Sequence, residues 1–194
     1  MVEIRNIKVY DLKESVIASR NAMRTAMPQY TDEEFQASLP RAMKLAQAGG
    51  GSGHSNFRVG IRVAFDIVYP NYFSPEFQRY HFADIVTSSS KMHRLAKMDM
   101  DTCFNKYVSD DTRSQMKQLL EQYNADQTYE NYMRLLSNCP LGIELFMRVT
   151  TNYEQLSTIY RQRRHHRLQE DWGAFCDMIE NLPYAKELII CKEG

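Results

Sequence analysis

The chain has 194 residues, of which 43% are hydrophobic and 25% are charged, a composition typical of one soluble globular domain. Its 24 basic and 24 acidic residues cancel, so no overall charge would attract the protein to nucleic acid or to a membrane surface. The sequence contains no signal-peptide pattern and no segment with the roughly 20 apolar residues of a membrane-spanning helix. We therefore expect a cytoplasmic protein with a single domain over residues 1–194.

The cysteines of the sequence are far apart and include no Cys-x-x-Cys pair. This pattern favours a reducing compartment and argues against a disulfide framework or a zinc site, so we assign no metal ligand. No cysteine has a sequence context that is clearly electropositive, as a thiolate nucleophile would require. The four are Cys103, Cys139, Cys176 and Cys191.

Two helices are predicted in the first part of the chain. The stretch "LKESVIASRNAMRTAM" has helical spacing of its apolar residues, and Pro28 ends it. The second helix begins with a Thr-x-x-Glu capping box formed by Thr31 and Glu34. Pro40 should kink this helix, and the glycines of "GGGSG" end it and form the only flexible-looking joint.

A long strand is predicted next, because "RVGIRVAFDIVY" alternates apolar and polar residues over positions 58–69. In this pattern Val59 belongs to the apolar face and Arg58 to the polar face. A short helix should follow, with Ser74 as its cap and a proline at its first helical position. The stretch after it, residues 83–95, has no regular pattern.

The second half predicts helices separated by one strand. Two helices with apolar stripes should lie between Asp111 and Leu136, and "ELFMRVTTN" is a strand candidate. Asn152 is a natural cap for the next helix, with Gln155 three residues later. The last helix, "EDWGAFCDMIENL", places Trp172 and other apolar residues on one face.

The stretch "YRQRRHHRLQEDW" is unusually basic for a chain with no net charge. If the helix from Asn152 continues into it, Arg163 follows Leu156 by seven residues and Ile159 by four, which places it on the buried face. A guanidinium in that position needs an anion as partner. The sequence leaves open whether this is an internal carboxylate or a ligand. The neighbouring arginines lie on other faces, where solvent exposure is expected.

Two further stretches have the composition of binding loops. "GSGHSNF" places backbone N–H groups and a histidine directly before the long strand, and "RYHFADIVTSSSKMHRL" mixes hydroxyl groups with cationic side chains. Hydroxyls and cations together suit phosphate binding. The sequence has no Walker loop, Gly-x-Gly-x-x-Gly, His-Glu-x-x-His or serine-hydrolase motif.

The order of these pieces resembles the flavin-dependent thymidylate synthases, the ThyX family. "SVIASRNAMRTAM" is similar to the family's early Ala-Ala-Arg-x-Ser segment, and "GHSNF" to its Gly-His-x-x-x-Phe signature, one residue shorter. The run from Pro140 to Gln169 resembles the family's Leu-Pro, strand, Thr-Val-Asn, helix, Asn-Leu-Arg and Ala-Gln-Trp order without a gap. The resemblance implies an α+β ThyX-like fold, in which an antiparallel or mixed sheet packs with long helices.

The resemblance also implies a binding site, although it assigns no side chain as a catalytic acid, base or nucleophile. The positions that match FAD-binding residues of the family are His54, Ser55, Arg79, His81, Asn152 and Thr158. The positions that match residues for the substrate nucleotide are Ser88, Ser89, Arg163 and Gln169, with Arg163 expected at the phosphate.

The chain departs from the family in its longest motif. Tyr80 stands in the middle of the family's Arg-His-Arg triplet, Thr87 stands where a glutamate is expected, and Lys91 where an arginine is expected. A second nucleotide-binding arginine aligns with Leu136, two positions from Arg134. The exact reaction is therefore less well defined by the sequence than the fold.

The implied activity is methylation of a pyrimidine deoxynucleotide at C5, dUMP to dTMP, with FAD as cofactor and with NADPH and methylenetetrahydrofolate as co-substrates. The family also implies a homotetramer that shares its active sites between subunits. One alternative is a ThyX-like enzyme for another pyrimidine nucleotide, UMP or dCMP. The other alternative is a non-catalytic nucleotide- or RNA-binding homologue that uses the helix around residues 161–167. The neutral net charge of the chain argues against this alternative.

Overall fold

The computed structural model describes residues 1–48 and 53–191, and its centre is a four-stranded antiparallel sheet. The expected "GGGSG" joint lies, apart from Gly53, outside the described residues. The strands lie in the spatial order β1-β2-β4-β3, so β2 and β4 form the middle of the sheet. They are β1 (Glu3–Tyr10), β2 (Arg62–Pro70), β3 (Asp84–Ser88) and β4 (Glu144–Asn152).

Helices of very different length connect and cover these strands. None of the helices within the described ranges is long and apolar enough to cross a membrane. Three single turns of 3₁₀ helix, at Asn21–Met23, Asn71–Phe73 and Leu95–Lys97, and a π-helical turn at Lys186–Ile190 complete the secondary structure of the described chain. The α-helices are α1 (Leu12–Ala18), α2 (Asp32–Gln47), α3 (Phe57–Gly60), α4 (Ser74–Phe77), α5 (Lys91–Arg94), α6 (Asp110–Ala125), α7 (Tyr129–Ser137), α8 (Tyr153–Arg163) and α9 (Gln169–Glu180).

The capping patterns in the sequence predicted helix starts correctly. The Glu34 backbone N–H donates to the Thr31 hydroxyl at 3.2 Å, which begins α2. The Gln155 N–H donates to Asn152 Oδ1 at 2.9 Å, which begins α8 directly after β4. In α9 the predicted apolar face is buried around Trp172. The α+β class, the strand β4 and the helix pair α6–α7 are also confirmed.

Strand β1 was not predicted, because a bulge breaks its alternation. The register against β2 shifts between Arg5 and Lys8, and Asn6 between them has a φ of 51°, in the left-handed region. Because of the extra residue, Ile4 and Ile7 are separated by three positions and not by an even number. The apolar residues of β1 therefore do not alternate with polar ones in the sequence.

The prediction that the long strand begins at Arg58 is wrong. Residues 57–60 form the helical turn α3, and β2 begins at Arg62. A Cβ on Gly60 would lie 2.3 Å from the Ser15 hydroxyl oxygen and 3.3 Å from Ser15 Cβ, so any other residue here would require the Ser15 side chain or α1 to shift. The turn reverses the predicted faces, because Arg58 is 3% exposed and Val59 is 43% exposed.

Two helix predictions are corrected as well. The first helix ends at Ala18 instead of continuing to residue 27, and the Ser19 hydroxyl donates to the Val16 carbonyl at 2.7 Å at that end. Ser74 is the first residue of α4 and not its cap, since the preceding 3₁₀ turn leads directly into the helix. The irregular stretch 83–95 contains β3, an edge strand whose largely exposed side chains leave no alternation to detect.

The buried apolar residues form two clusters. The larger one is centred on the sheet and includes residues of α2, α8 and α9, and the smaller one joins α6 and α7 to the segment from Leu95 to Phe104. A buried carboxylate, that of Asp171 in α9, fixes the start of β1. It accepts from the Val2 backbone N–H at 3.0 Å and from the Tyr72 hydroxyl at 2.9 Å.

Candidate functional site

A pocket of about 560 Å³ opens between α8 and the loop that leads into β3. On α8, three polar side chains follow one another at helical spacing on one face, and an arginine stands at the helix end. The opposite wall is the "RYHF" segment. The lining residues are Arg79, Tyr80, His81, Phe82, Gln155, Thr158, Gln162 and Arg163.

The loop wall is held on α8 and β4 by hydrogen bonds at two points. The Phe82 backbone N–H donates to Gln155 Oε1 at 3.3 Å, and the Phe82 carbonyl accepts from the Thr151 hydroxyl at 2.9 Å. The Tyr80 hydroxyl donates to Gln162 Oε1 at 3.1 Å. The pocket therefore has a preformed wall on both sides.

Arg163 forms an internal salt bridge, which is one of the two arrangements that its helical phase predicted. Its Nη1 lies 3.0 Å from Glu76 Oε2, and its Nε donates to the Tyr80 hydroxyl at 2.6 Å. The guanidinium carbon is 4.7 Å from the centre of the Trp172 ring, a cation–π distance. The side chain is only 11% exposed, yet it lines the pocket. No residue that the structure describes accepts a hydrogen bond from Nη2.

Glu76, which the sequence did not single out, is the centre of this network. Its Oε2 accepts from Arg163 and also from the Trp172 indole N–H at 3.0 Å, and His166 Nε2 lies 3.5 Å away. Because His166 Nδ1 accepts from the Leu168 N–H at 3.2 Å, the ring proton lies on Nε2, toward Glu76. The sequence could have indicated Glu76 as a partner for an arginine, since it is the only carboxylate between Asp66 and Asp84.

Tyr80 completes the network as a neutral hydroxyl. Burial raises the pKa of Tyr80, and the Arg163 guanidinium only partly offsets this effect. The hydroxyl therefore keeps its proton at neutral pH. It accepts from Arg163 and donates to Gln162, which fixes the end of α8 against the loop.

The outer part of the pocket carries a guanidinium and an imidazole side chain. Arg79 and His81 are exposed, and neither forms an ion pair with any residue in the described part of the chain. Thr158 lines the same pocket from α8, and its hydroxyl donates to the Glu154 carbonyl at 3.3 Å. A pocket with an arginine outside any ion pair of the described chain, an imidazole and several amide and hydroxyl groups suits a ligand that carries phosphate.

Comparisons with known proteins give a clear result for the fold only. No protein-family model matches the chain, and no curated protein sequence matches it. The structure of the flavin-dependent thymidylate synthase ThyX from Helicobacter pylori, complexed with FAD and dUMP, aligns with 97% of this chain and 99% of its own, with a TM-score of 0.72 and 14% identity. The chain has the ThyX fold.

Two other structures support this fold assignment. A second structure of ThyX from Helicobacter pylori with FAD and dUMP aligns over 98% of both chains, with a TM-score of 0.68 and 13% identity. A UMP/dUMP methylase, PolB from Streptomyces cacaoi bound with 5-Br dUMP, aligns over 93% of this chain and 88% of its own, with a TM-score of 0.61 and 12% identity. The predicted ThyX-like fold is confirmed.

Within the ThyX fold, the pocket brings together four of the residues that the sequence assigned to a site: Arg79, His81, Thr158 and Arg163. Asn152 lies at the other end of α8, where it is 3% exposed and used as the helix cap. His54 and Ser55 lie in the turn before α3, with His54 exposed and Ser55 buried. These three residues are not part of the pocket wall.

The remaining assigned residues also lie outside this pocket of the ThyX fold. Ser88 ends β3 and is exposed, and Gln169 is an exposed residue at the start of α9. Ser89 lines a second pocket, of about 300 Å³, together with Arg94 and Lys97. Its hydroxyl accepts from the Phe146 N–H at 3.0 Å, which joins it to β4.

The other arginines of the basic stretch differ from Arg163. Arg161 and Arg167 are exposed, as expected. Arg164 is partly buried and pairs with Asp177 at 2.8 Å and with Glu180 at 3.3 Å, so its charge is neutralised within the fold. The basic stretch is therefore less positive than its sequence indicates.

The cysteines keep their protons in this fold. All four are free thiols, and burial raises the pKa of each one. For Cys103 and Cys176 the pKa is raised to about 11. This agrees with the sequence-based expectation that none of them is a thiolate nucleophile.

Proposed function

We propose that the protein is an FAD-dependent enzyme that methylates a pyrimidine deoxynucleotide at C5, converting dUMP to dTMP with methylenetetrahydrofolate and NADPH as co-substrates. The observation that carries the proposal is the ThyX fold over 97% of the chain, with a polar and cationic pocket beside α8. The matched Helicobacter pylori structures contain FAD and dUMP.

The residues at the pocket fit a flavin nucleotide. Arg79 and His81 would contact its phosphates, because the Arg79 guanidinium and the His81 imidazole can donate hydrogen bonds and neither forms an ion pair in the described structure. Thr158 would contact the cofactor from α8, Asn152 from the beginning of that helix, and His54 and Ser55 from the turn before α3. FAD, when bound, would supply the redox chemistry of the reaction.

The nucleotide would be held by Arg163, with Ser88, Ser89 and Gln169 as further contacts. The work of these residues would be to hold the pyrimidine ring and its phosphate in a fixed position relative to the cofactor. No nucleophilic side chain is needed from the protein, and the protonated cysteines support this mechanism. Tyr80 and Glu76 would fix the Arg163 side chain before the nucleotide arrives.

We further propose a homotetramer with shared active sites. The assigned residues of one chain lie in separate places: the pocket at α8, the turn before α3, the end of β3, and the start of α9. Association of subunits would bring residues of one copy to the pocket of another. Size-exclusion chromatography with light scattering tests this, and a monomeric active enzyme would contradict it.

The test of the function uses the purified protein. We expect a yellow protein with absorbance at about 450 nm, where oxidised flavins absorb, or one that acquires it with added FAD. With dUMP, NADPH and methylenetetrahydrofolate it should form dTMP, detected by mass spectrometry. A colourless protein that neither binds FAD nor produces dTMP would contradict the proposal.

A second candidate is the same chemistry on a ribonucleotide or on dCMP. The similarity to a UMP/dUMP methylase favours it, as do Thr87 and Lys91 where the family has glutamate and arginine. Turnover of dUMP, UMP and dCMP under identical conditions separates the candidates. The RNA-binding alternative has less support, because Arg164 is neutralised by Asp177 and Glu180.

A further inference from the structure

Phe82 is a large aromatic residue that lines the pocket without being part of the core. It is 70% exposed, whereas the nearby rings of Tyr80 and Trp172 are buried. Within residues 1–48 and 53–191, no other aromatic ring lies against it, and it belongs to neither buried apolar cluster. Packing of the described chain therefore gives no reason for an aromatic side chain at this position.

The backbone of this exposed residue is nevertheless fixed by two buried polar side chains. The Thr151 hydroxyl, near the end of β4, donates to the Phe82 carbonyl at 2.9 Å, and the Phe82 N–H donates to Gln155 Oε1 at 3.3 Å. Thr151 is 1% exposed and Gln155 is 7% exposed. Buried polar groups need hydrogen-bond partners, and both of these side chains have theirs on one exposed loop residue. The fold thus holds Phe82 in place without covering its ring.

The residues just before Phe82 suit the phosphate that accompanies a nucleotide ring. Arg79 and His81 line the same pocket, where a guanidinium can form charge-assisted hydrogen bonds with phosphate and an imidazole can donate another. An aromatic face beside such donors can bind the flat ring and the anionic group of one ligand together. The volume of about 560 Å³ lies within the range of small-molecule and cofactor sites.

We propose that Phe82 is a stacking platform for a planar heterocycle of the ligand, and that Thr151 is a positioning residue for this platform. The inference rests on the proposed function for the identity of the ligand, FAD, which carries two such rings, isoalloxazine and adenine. Stacking removes the apolar faces of both partners from water. This contact adds to those proposed for Arg79 and His81, and no motif in the sequence pointed to it.

The test replaces the ring and measures the affinity for each half of the cofactor. Phe82→Leu keeps an apolar side chain but removes the flat ring, and Phe82→Tyr keeps the ring. Tyr129→Leu is the matched control, since Tyr129 is 79% exposed at the start of α7 and does not line the pocket. Isothermal titration calorimetry gives the Kd for FAD, for riboflavin (isoalloxazine without phosphate) and for AMP (adenine with one phosphate).

We expect Phe82→Leu to weaken FAD binding by about tenfold, and Phe82→Tyr and Tyr129→Leu to weaken it by less than about threefold. A loss of riboflavin affinity in Phe82→Leu would assign the isoalloxazine ring to Phe82, and a loss of AMP affinity would assign adenine. If the wild type binds FAD, and Phe82→Leu binds FAD, riboflavin and AMP as the wild type does, the inference is wrong and the proposed function stands.

Thr151→Val tests the positioning role, because valine has the same shape without the hydroxyl, and a side chain buried to this degree does not touch a ligand in the pocket. We expect it to weaken FAD binding by about fourfold in the otherwise wild-type protein, and by less than about twofold when Phe82 is already leucine. An equal loss in both backgrounds would show that Thr151 does not act through Phe82.

Two further results separate the inference from its rivals. If Phe82→Leu changes the oligomeric state measured by light scattering, the ring belongs to a contact between subunits and the inference is wrong. If the wild type binds neither FAD nor riboflavin, the proposed function fails, and AMP then decides the role of Phe82. An AMP affinity that falls in Phe82→Leu would keep the inference, whereas a wild type that binds no AMP would overturn it as well.

Discussion

An arginine–glutamate pair lies at each end of α8, Arg58 of α3 with Glu154 at the start and Arg163 with Glu76 of α4 at the end, and the two pairs differ in how completely the guanidinium is used. At the first turn, Arg58 is 3% exposed and bonds through every guanidinium nitrogen: Nε and Nη2 to Glu154 at 2.6 and 2.5 Å, and Nη1 to the Leu188 carbonyl at 3.2 Å. At the last turn, Arg163 lines a pocket and keeps Nη2 without an acceptor in the described chain.

This difference distinguishes a structural arginine from one that can bind a ligand. The Arg58 pair joins α3, α8 and the π-helical turn, and the Ser157 hydroxyl strengthens that junction by donating to the Ile189 carbonyl at 2.7 Å. Each of its three guanidinium nitrogens contacts an oxygen atom of the fold and the side chain is buried, so a ligand could not reach it without local disruption of the fold. In the Arg163 pair, Nη2 and one N–H of Nη1 have no acceptor in the described chain, and the guanidinium lies over the Trp172 ring at a pocket wall. Counting the unused donors of a guanidinium is thus more informative than its burial alone.

The largest expected effect is the loss of stability in Arg58→Met. We expect the free energy of unfolding to fall by about 3 kcal/mol, the low end for breaking a buried pair, because Glu154 is 28% exposed and water can solvate part of its charge. Urea denaturation measures this effect. Replacing Glu154 by Leu as well should recover part of the lost stability. If Arg58→Met alone is as stable as the wild type, the Arg58 pair is not a structural pair and does not differ from the Arg163 pair in this respect.

The next effect is on binding, in Arg163→Ala. We expect dUMP affinity to fall by about 1.5–3 kcal/mol, the range for a lost hydrogen bond to a charged donor, with a smaller loss of stability than in Arg58→Met. Isothermal titration calorimetry measures the affinity. Arg163→Lys is the matched control, since it keeps the charge but not the planar fork. Unchanged dUMP binding in the alanine variant would contradict the proposed function.

A pH effect of intermediate size separates the tyrosines at the two ends. Burial raises the pKa of Tyr153, whose hydroxyl donates to the Pro183 carbonyl at 2.7 Å. Burial also raises the pKa of Tyr80, but there the Arg163 guanidinium lowers it in part. An unfolded tyrosine ionises near a pH of about 10, whereas the folded residues stay neutral. Their stabilisation is therefore complete below that pH and is lost as the pH rises toward the folded pKa.

We expect the Tm of the wild type to decrease between about pH 9 and pH 11. Tyr153→Phe should cost about 1 kcal/mol at neutral pH and should reduce that decrease more than Tyr80→Phe does. Differential scanning calorimetry at several pH values is the measurement. An equal reduction in both variants would show that Arg163 has no effect on the Tyr80 hydroxyl.

The smallest effect is expected in Arg161→Ala. This arginine is exposed on the last turn of α8 and forms no salt bridge with the residues that the structure describes. Stability should change by less than about 0.5 kcal/mol and dUMP affinity by less than about twofold. A larger change in affinity would show that the ligand surface continues beyond the pocket.

Local patterns in the sequence predicted the parts of the fold that depend on neighbouring residues. The caps at Thr31 and Asn152 and the apolar face of α9 are of this kind, since each is decided within a few residues. The predictions at β1 and at Arg58 were missed or wrong because distant partners decide them. A bulge at Asn6 against β2 and the packing of Gly60 on Ser15 leave no periodic signal.

In the candidate site, too, the features decided by neighbouring residues were predicted and those decided by distant partners were not. The helical phase of Arg163 predicted correctly that it would face inward, because that phase follows from spacing on one helix. Its anion could not be identified, since Glu76 reaches it from a separate helix 87 residues earlier in the chain. The ThyX resemblance placed Arg79, His81 and Thr158 at positions that the fold brings together, but their roles as ligand contacts stay predictions.

The hydrogen bond between the Val2 N–H and Asp171 has a consequence for synthesis of the protein. It joins residues 169 positions apart, and the central strands β2 and β4 also come from distant parts of the chain. During translation, β2 can pair with β1 early, but its other edge has no partner until residues 144–152 have left the ribosome. Contacts of such long sequence separation fold slowly, and unpaired edges favour association with other chains. We therefore expect soluble expression to depend more on chaperones that cover the unpaired β2 edge than on the final stability.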